Sequence, residues 1–190
     1  MGVFDVMFGR KRLKGAAQDR LFALATAQVT LEVELALKPG GAAAVCFKPL
    51  SGGNFDRADA EMQELLAAVA QSAGTTLTRK TDELGYEWIV LEDPELEDLV
   101  TAAHTISDEL QSRGFGDRLL AAMFRFVDAK GRRVYLIYGF KTGTFWPFVP
   151  VGEERKRDNA EELALKTRLE KELPIEADLT KWLALYDAPI

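Results

Sequence analysis

The chain has 190 residues, 47% of them hydrophobic and 28% charged, with a net charge of -6; this supports one domain with a substantial core and argues against nucleic acid as the main partner, since phosphate binding needs a concentrated basic face. The single cysteine, Cys46, excludes an internal disulfide and a cysteine-rich zinc site. No stretch approaches the roughly eighteen apolar residues of a spanning helix and the start lacks the long apolar region of a secretion signal, so the expected location is the cytoplasm, with any membrane contact local.

The chain opens with MGVFDVMF and then GRKRLK. On a helix Val3, Phe4, Met7 and Phe8 share one face with Asp5 turned away, and Arg10, Lys11, Arg12 and Lys14 follow directly. Residues 1–14 are therefore expected to be a mobile or amphipathic segment that enters the headgroup region at the inner face of a membrane, set apart from a single domain over 15–190. The cations offer about 1 kcal/mol each near an acidic leaflet and the apolar side chains about 4 more, against roughly 10 to 15 kcal/mol for ordering the segment. Alone it would bind a bilayer marginally; a homodimer, with two linked anchors, would gain effective concentration. The alternative is that the same face docks on the domain or on a partner.

Ala17, Leu21, Leu24 and Ala25 predict a helix over 16–25. Over 29–37, Leu31, Val33, Leu35 and Leu37 alternate with Glu32 and Glu34, which predicts a strand, and Pro39-Gly40-Gly41 predicts a turn into a second strand over 43–48. Cys46 lies between Val45 and Phe47 with no base nearby in sequence, so a buried, inert thiol is expected. Asn54 is a candidate N-cap for a helix carrying Phe55, Ala58, Met62, Leu65, Leu66 and Val69 and stopping at Gly74. A strand pair over 75–80 and 85–91 follows, with Tyr86, Trp88 and Val90 on one face. Asp93-Pro94 starts another helix, whose stripe is Leu96, Leu99, Val100, Ala103, Ile106 and Leu110. His104, the only histidine, sits beside that stripe one turn from Asp108; without a nucleophile the pair is no triad, and a boundary residue with a local hydrogen bond is the expected role.

A strand over 119–127 turns at Asp128 to Gly131 into the densest apolar run of the chain, RRVYLIYGFKTGTFWPFVP. Two arms, 133–140 and 144–149, flank Lys141-Thr142-Gly143 as a hairpin. Tyr135 and Ile137 face one way and Val134, Leu136, Tyr138 and Phe140 the other, the pattern of a strand buried on both faces. Pro147 pushes the second arm toward a sheet edge or a bulge. Asp158 or Asn159 is expected to cap a helix through Leu163, Leu165 and Leu169, and Asp178 a last short helix whose Trp182, Leu185 and Tyr186 dock on the core. The expected fold is α+β: an antiparallel sheet of hairpins with a C-terminal meander, covered by helices.

The sequence holds no phosphate-cradling loop, dinucleotide fingerprint, metal-spaced ligand set or nucleophile elbow, and no cofactor or metal is expected. The sharpest polar cluster, Arg155, Lys156, Arg157 and Asp158, follows the aromatic hairpin, with Lys141 at the hairpin tip. Two functions compete. The favoured one is a non-enzymatic adaptor that binds a partner protein through Lys141, Phe145, Trp146, Phe148, Arg155, Arg157 and Asp158. The other is a small-molecule or nucleotide-binding protein, or an enzyme, that gathers Lys141, Arg155, Arg157 and Asp158 around a pocket. A solvated helix start with internal ion pairs is the plain reading of the same charges.

Several stretches together carry a resemblance: the opening MGVFD with its basic continuation, CFKP at 46–49, LGYEW at 84–88, GFGDRLL at 114–120, GFKTGTFWPFVP at 139–150 and RDNAEEL at 157–163. Over nearly its whole length the chain resembles the PspA-associated proteins of the PspAB type, a bacterial and archaeal group linked to phage-shock and envelope-stress systems. The resemblance implies a PspA-like coiled-coil protein, itself membrane-remodelling, as the partner; it carries over no catalytic residues. From Phe55 onward the order of elements also resembles, at the level of fold only, the YbjN and secretion-chaperone type of α+β scaffold.

Overall fold

The computed structural model describes residues 18–48, 55–152 and 154–190. The expected anchor over 1–14 and the Asn54 cap lie outside the described residues. Six strands, β1 (Lys38–Phe47), β2 (Thr76–Thr81), β3 (Glu87–Glu92), β4 (Leu119–Val127), β5 (Arg133–Gly139) and β6 (Thr144–Phe148), form one sheet in the order β2-β3-β1-β4-β5-β6, each neighbour antiparallel. The helices are α1 (Ala23–Thr26), entered through a 3-10 turn at Arg20–Phe22, then α2 (Gln28–Val33), α3 (Phe55–Ala73), α4 (Leu96–Ser112) and α5 (Asn159–Leu169). The fold is α+β, as the sequence pattern predicts.

Period-two alternation sorts the side chains of β5 as expected. Val134, Leu136 and Tyr138 enter the large core beneath the helices, while Tyr135 and Ile137 enter a second cluster on the opposite face. The six-residue stripe of α4 is buried throughout against the first face. β6, which carries Pro147, lies at the sheet edge, where a missing N–H costs no ladder bond. Its outer side is partly closed: Phe145 N–H donates to the Pro174 carbonyl and Glu176 N–H to the Phe145 carbonyl, both at 2.8 Å.

The expected strand over 29–37 is a correction. Gln28–Val33 is helical, and the expected turn at Pro39-Gly40-Gly41 lies inside β1. β1 already has β3 on one side and β4 on the other, so no ladder position remains beside it for an adjoining hairpin strand. The glycines instead form an irregularity: Lys38 and Pro39 pair with Val127 and Phe126, and pairing resumes at Ala43 with Phe124. Arg125 holds it, its Nη2 donating to the Gly40 carbonyl at 2.6 Å, and a Cβ on Gly40 would lie 2.8 Å from Arg125 Cγ. Helical winding places Leu21, Leu24, Ala27 and Leu31 in the core.

Candidate functional site

The expected aromatic surface is a second correction. Phe145, Trp146 and Phe148 are 0%, 5% and 1% exposed. Alternation along β6 turns Phe145 toward the helices, where its ring centroid lies 4.7 Å from that of Tyr138, and turns Trp146 and Phe148 to the other face. That face is covered by the C-terminal stretch 175–190, a strap with a single 3-10 turn at Leu179–Lys181. The strap is pinned by side chains that bond to main chain: Trp146 Nε1 donates to the Leu183 carbonyl at 3.0 Å, Arg157 Nη1 to the Trp182 carbonyl at 2.9 Å, and Tyr135 Oη to the Ile190 main-chain oxygen at 2.9 Å. Its own Trp182 is buried, and its indole donates to the Glu176 carbonyl at 3.0 Å. Leu185 and Tyr186 pack beside it, as expected.

The charged candidates divide. Arg157 is an internal strut: its guanidinium bonds both oxygens of the buried Glu162 at 2.9 and 2.8 Å and sits 5.4 Å from the Phe148 ring centroid. Glu162 also accepts Val149 N–H at 2.9 Å, so one buried carboxylate ties α5 to the chain leaving β6. Asp158 caps α5 by accepting Glu161 N–H at 3.0 Å and pairs with Arg132 at 3.3 Å. Arg132 reaches Asp128 as well, at 2.7 Å. Burial would raise the Asp128 pKa, but the Arg132 and Lys130 N–H groups and the Arg132 guanidinium outweigh it and hold the carboxyl below its ordinary value. Arg157 and Asp158 are thus both engaged within the chain, with Asp158 still about a third exposed. Arg155 is exposed and bound to Asp187 at 2.6 Å, and Lys141 is exposed at the hairpin tip.

On the strap face two open clefts lie against the strap. The first, of about 650 Å³, is lined by Arg132, Arg133, Tyr135, Pro150, Arg155 and Tyr186 among others. The second, of about 640 Å³, has Tyr86, Trp88 and Trp146 for walls and includes Lys141 and Arg155. The structure thus brings Lys141 and Arg155 to one cleft and Arg155 and Asp158 to the other, and Arg157 lines neither of these two clefts. Cys46 lies against the second cleft yet is 4% exposed, and burial, with the Asp82 charge adding to it, pushes its thiol up to about 12. It has the character of an inert thiol.

The helix face holds a feature that the strand reading of 29–37 concealed. From Asp19 to Glu34 the backbone keeps the right-handed helical region, with Ala27 N–H bonded to the Ala23 carbonyl at 2.9 Å and Leu31 N–H to the Ala27 carbonyl at 3.0 Å. Phe22, Thr26, Val29 and Val33, spaced four, three and four residues apart, then form one stripe that faces solvent. Val29 and Val33 are 72% and 78% exposed. The signal was present in the sequence as a second row, apolar at Phe22, Val29 and Val33 with Thr26 between them, offset from Leu21, Leu24 and Leu31. His104 stands at the end of this stripe, its ring centroid 4.7 Å from that of Phe22 and its Nε2 3.4 Å from Asp19 Oδ1. His104 is half-buried at the boundary as expected, but its partner is the distant Asp19 and not a local group such as Asp108.

Among the described residues no group of three or more histidine, cysteine or acidic side chains is placed to hold a metal ion, and no helix is long and apolar enough to cross a membrane. The family model described as PspA associated protein B matches residues 1–190, the whole chain. No curated protein and no solved structure is significantly similar to it. The chain belongs to the PspA associated protein B family.

Proposed function

Starting from membership of the PspA associated protein B family, we propose that the chain is a non-enzymatic accessory protein of a membrane-stress system that binds a PspA-type coiled-coil partner through the stripe Phe22, Thr26, Val29 and Val33. The exposed spacing of that stripe carries the reading. Helices that pack along a left-handed seam need an apolar side chain on average every 3.5 residues, and the four-three-four spacing meets that need on the solvent side of a helix whose other side is already buried. The valines contribute little to the helix itself, because β-branched residues at exposed helical positions are about 0.5 kcal/mol poorer than alanine. Flanking charge is mainly acidic, with Asp19, Glu32 and Glu34 exposed beside Arg20, which favours a partner helix with basic flanks.

The stripe spans about three turns and offers roughly 300 to 400 Å², under the roughly 800 Å² per partner of a durable interface. A self-paired stripe would thus be a weak dimer, and the partner must be long enough to extend the contact or present it repeatedly. The test is calorimetric titration of the full chain with the PspA protein of the same cell. Val29→Asp combined with Val33→Asp should weaken binding by about tenfold or more while the melting temperature stays within about 2 °C of wild type. Wild-type affinity in the double variant removes the proposal.

Residues 1–14 enter the same reading as a weak, salt-sensitive contact to anionic lipid at the inner face of the membrane, resting on their sequence pattern. Flotation of the full chain and of a chain lacking residues 1–14 on acidic liposomes should separate the two; equal flotation removes the anchor.

A further inference from the structure

We infer that the cleft between the β5–β6 hairpin tip and the strap is a binding site for a small anionic amphiphile, a single apolar chain ending in a carboxylate or phosphate. The inference is independent of the coiled-coil reading. At about 640 Å³ the cleft falls within the roughly 300 to 1,000 Å³ of small-molecule sites. Tyr86, Trp88, Leu120, Trp146 and Leu183 line it. Both indole N–H groups are already used, Trp88 Nε1 on Asp82 at 2.8 Å and Trp146 Nε1 on the Leu183 carbonyl at 3.0 Å, so the rings offer the cleft hydrocarbon surface and no donor. Gly139 sets the Trp146 ring in place: a Cβ there would lie 3.0 Å from Trp146 Cζ3.

The head group follows from which charges are left over. Asp82 accepts the N–H groups of Leu84 and Tyr86 in addition to the Trp88 indole. Glu176 takes the Thr144 hydroxyl at 3.1 Å and Asp178 N–H at 3.0 Å, with Lys181 at 3.8 Å. Asp187 holds Arg155 at 2.6 Å. Among the described residues that line the cleft, Lys141 has no hydrogen bond or ion pair, and it stands exposed on the rim. An apolar trough with one uncompensated ammonium at its mouth is complementary to an apolar body with one negative end. Leu84 and Leu183, 72% and 61% exposed, form lips that such a body would cover.

The experiment titrates the full chain with dodecanoate and with dodecyltrimethylammonium, each below its micellar concentration, by calorimetry and tryptophan fluorescence. Dodecanoate should bind, and the cationic probe should bind about tenfold more weakly or not at all. Lys141→Glu, at an exposed turn that tolerates it, should weaken dodecanoate about fivefold or more while leaving the cationic probe no weaker, and Leu183→Asp should weaken both. Absence of dodecanoate binding, or equal dodecanoate affinity in wild type and Lys141→Glu, overturns the inference. So does displacement of bound dodecanoate by the purified PspA protein, which would make the cleft a protein-docking site. Competition by anionic phospholipid vesicles would assign the amphiphile to membrane lipid and its absence to a free acid; either upholds the site.

Discussion

The two faces of the sheet are both buried, but by different means. On one face α4 lays a regular apolar stripe across β1, β3 and β4 while α3 packs on α4 and β2, and the backbone groups of both are satisfied within the helices. On the other face the strap has almost no repeating structure of its own: part of its main chain is satisfied by short-range bonds and by the Glu176–Phe145 bond, and three side chains outside it, Trp146 and Tyr135 in the sheet and Arg157 ahead of α5, each donate to a strap carbonyl or main-chain oxygen. The helix layer is cooperative within itself, while the strap depends on single bonds and can loosen locally. The clefts lie against that second layer because an irregular chain cannot cover a pleated surface as evenly as a helix stripe does.

The comparison is tested most severely by emptying each layer. Phe124 is fully buried on the helix side, and Phe124→Ala should cost about 3 to 5 kcal/mol, from lost transfer energy and a residual cavity. In denaturant titration the slope should remain that of wild type, with one transition, because both layers pack on the same sheet. Two separated transitions in the variant would mean that the two layers already unfold apart.

Arg157→Ala comes next. It leaves Glu162, 2% exposed, without its guanidinium partner and frees the Trp182 carbonyl. Unpairing a largely buried carboxylate costs about 2 to 3 kcal/mol once the partial exposure of the arginine is allowed for. Glu162→Gln in the same chain should recover part of the loss by removing the stranded charge. A cost under about 0.5 kcal/mol would show that the strap is held by apolar contact alone.

The same contrast explains what the sequence made legible. The hairpin β4–β5, the two-sided burial of β5 and the helix stripe of α4 were readable because each obeys a period of 2.0 or 3.6, while Pro147 narrowed β6 to an edge or a bulge. The strap was foreseen only as a short helix with docking residues. That it covers Trp146 and Phe148 could not be read, since the bonds that place it join residues tens of positions apart, such as Trp146 with Leu183. The 29–37 stretch failed for another reason. Its alternating leucines and valines satisfy the strand template well, yet β1 has strands on both sides, and tertiary context overrode the local pattern. For the site, Lys141 and Arg155 were recognised as exposed cations, whereas Arg157 and Asp158 were spoken for by Glu162 and by the α5 cap, partners that spacing alone does not select between.

The smallest effect is the most specific to the strap. Tyr135→Phe deletes the bond from Tyr135 Oη to the Ile190 main-chain oxygen and little else, at about 1 kcal/mol. Because Ile190 lies at the far end of the strap, the loss should fall on local opening more than on global unfolding. Cys46 reports that opening. It sits in a cluster covered by strap residues Leu185, Ala188 and Ile190, and a thiol must ionise to react. In the closed state burial pushes its pKa up to about 12, against 9.0 for a solvated thiol, so reaction with a disulfide reagent near pH 8 must pass through an opened state. A group whose pKa is raised on closing binds its proton more tightly when closed; the closed state therefore keeps its full advantage below pH 9 and loses it as pH climbs toward 12. Labelling of Cys46 should thus accelerate with pH, and at pH 8 Tyr135→Phe should label about fivefold faster than wild type with a nearly unchanged melting temperature. Equal labelling rates in the two proteins would mean that the strap opens elsewhere, or only when the entire sheet does.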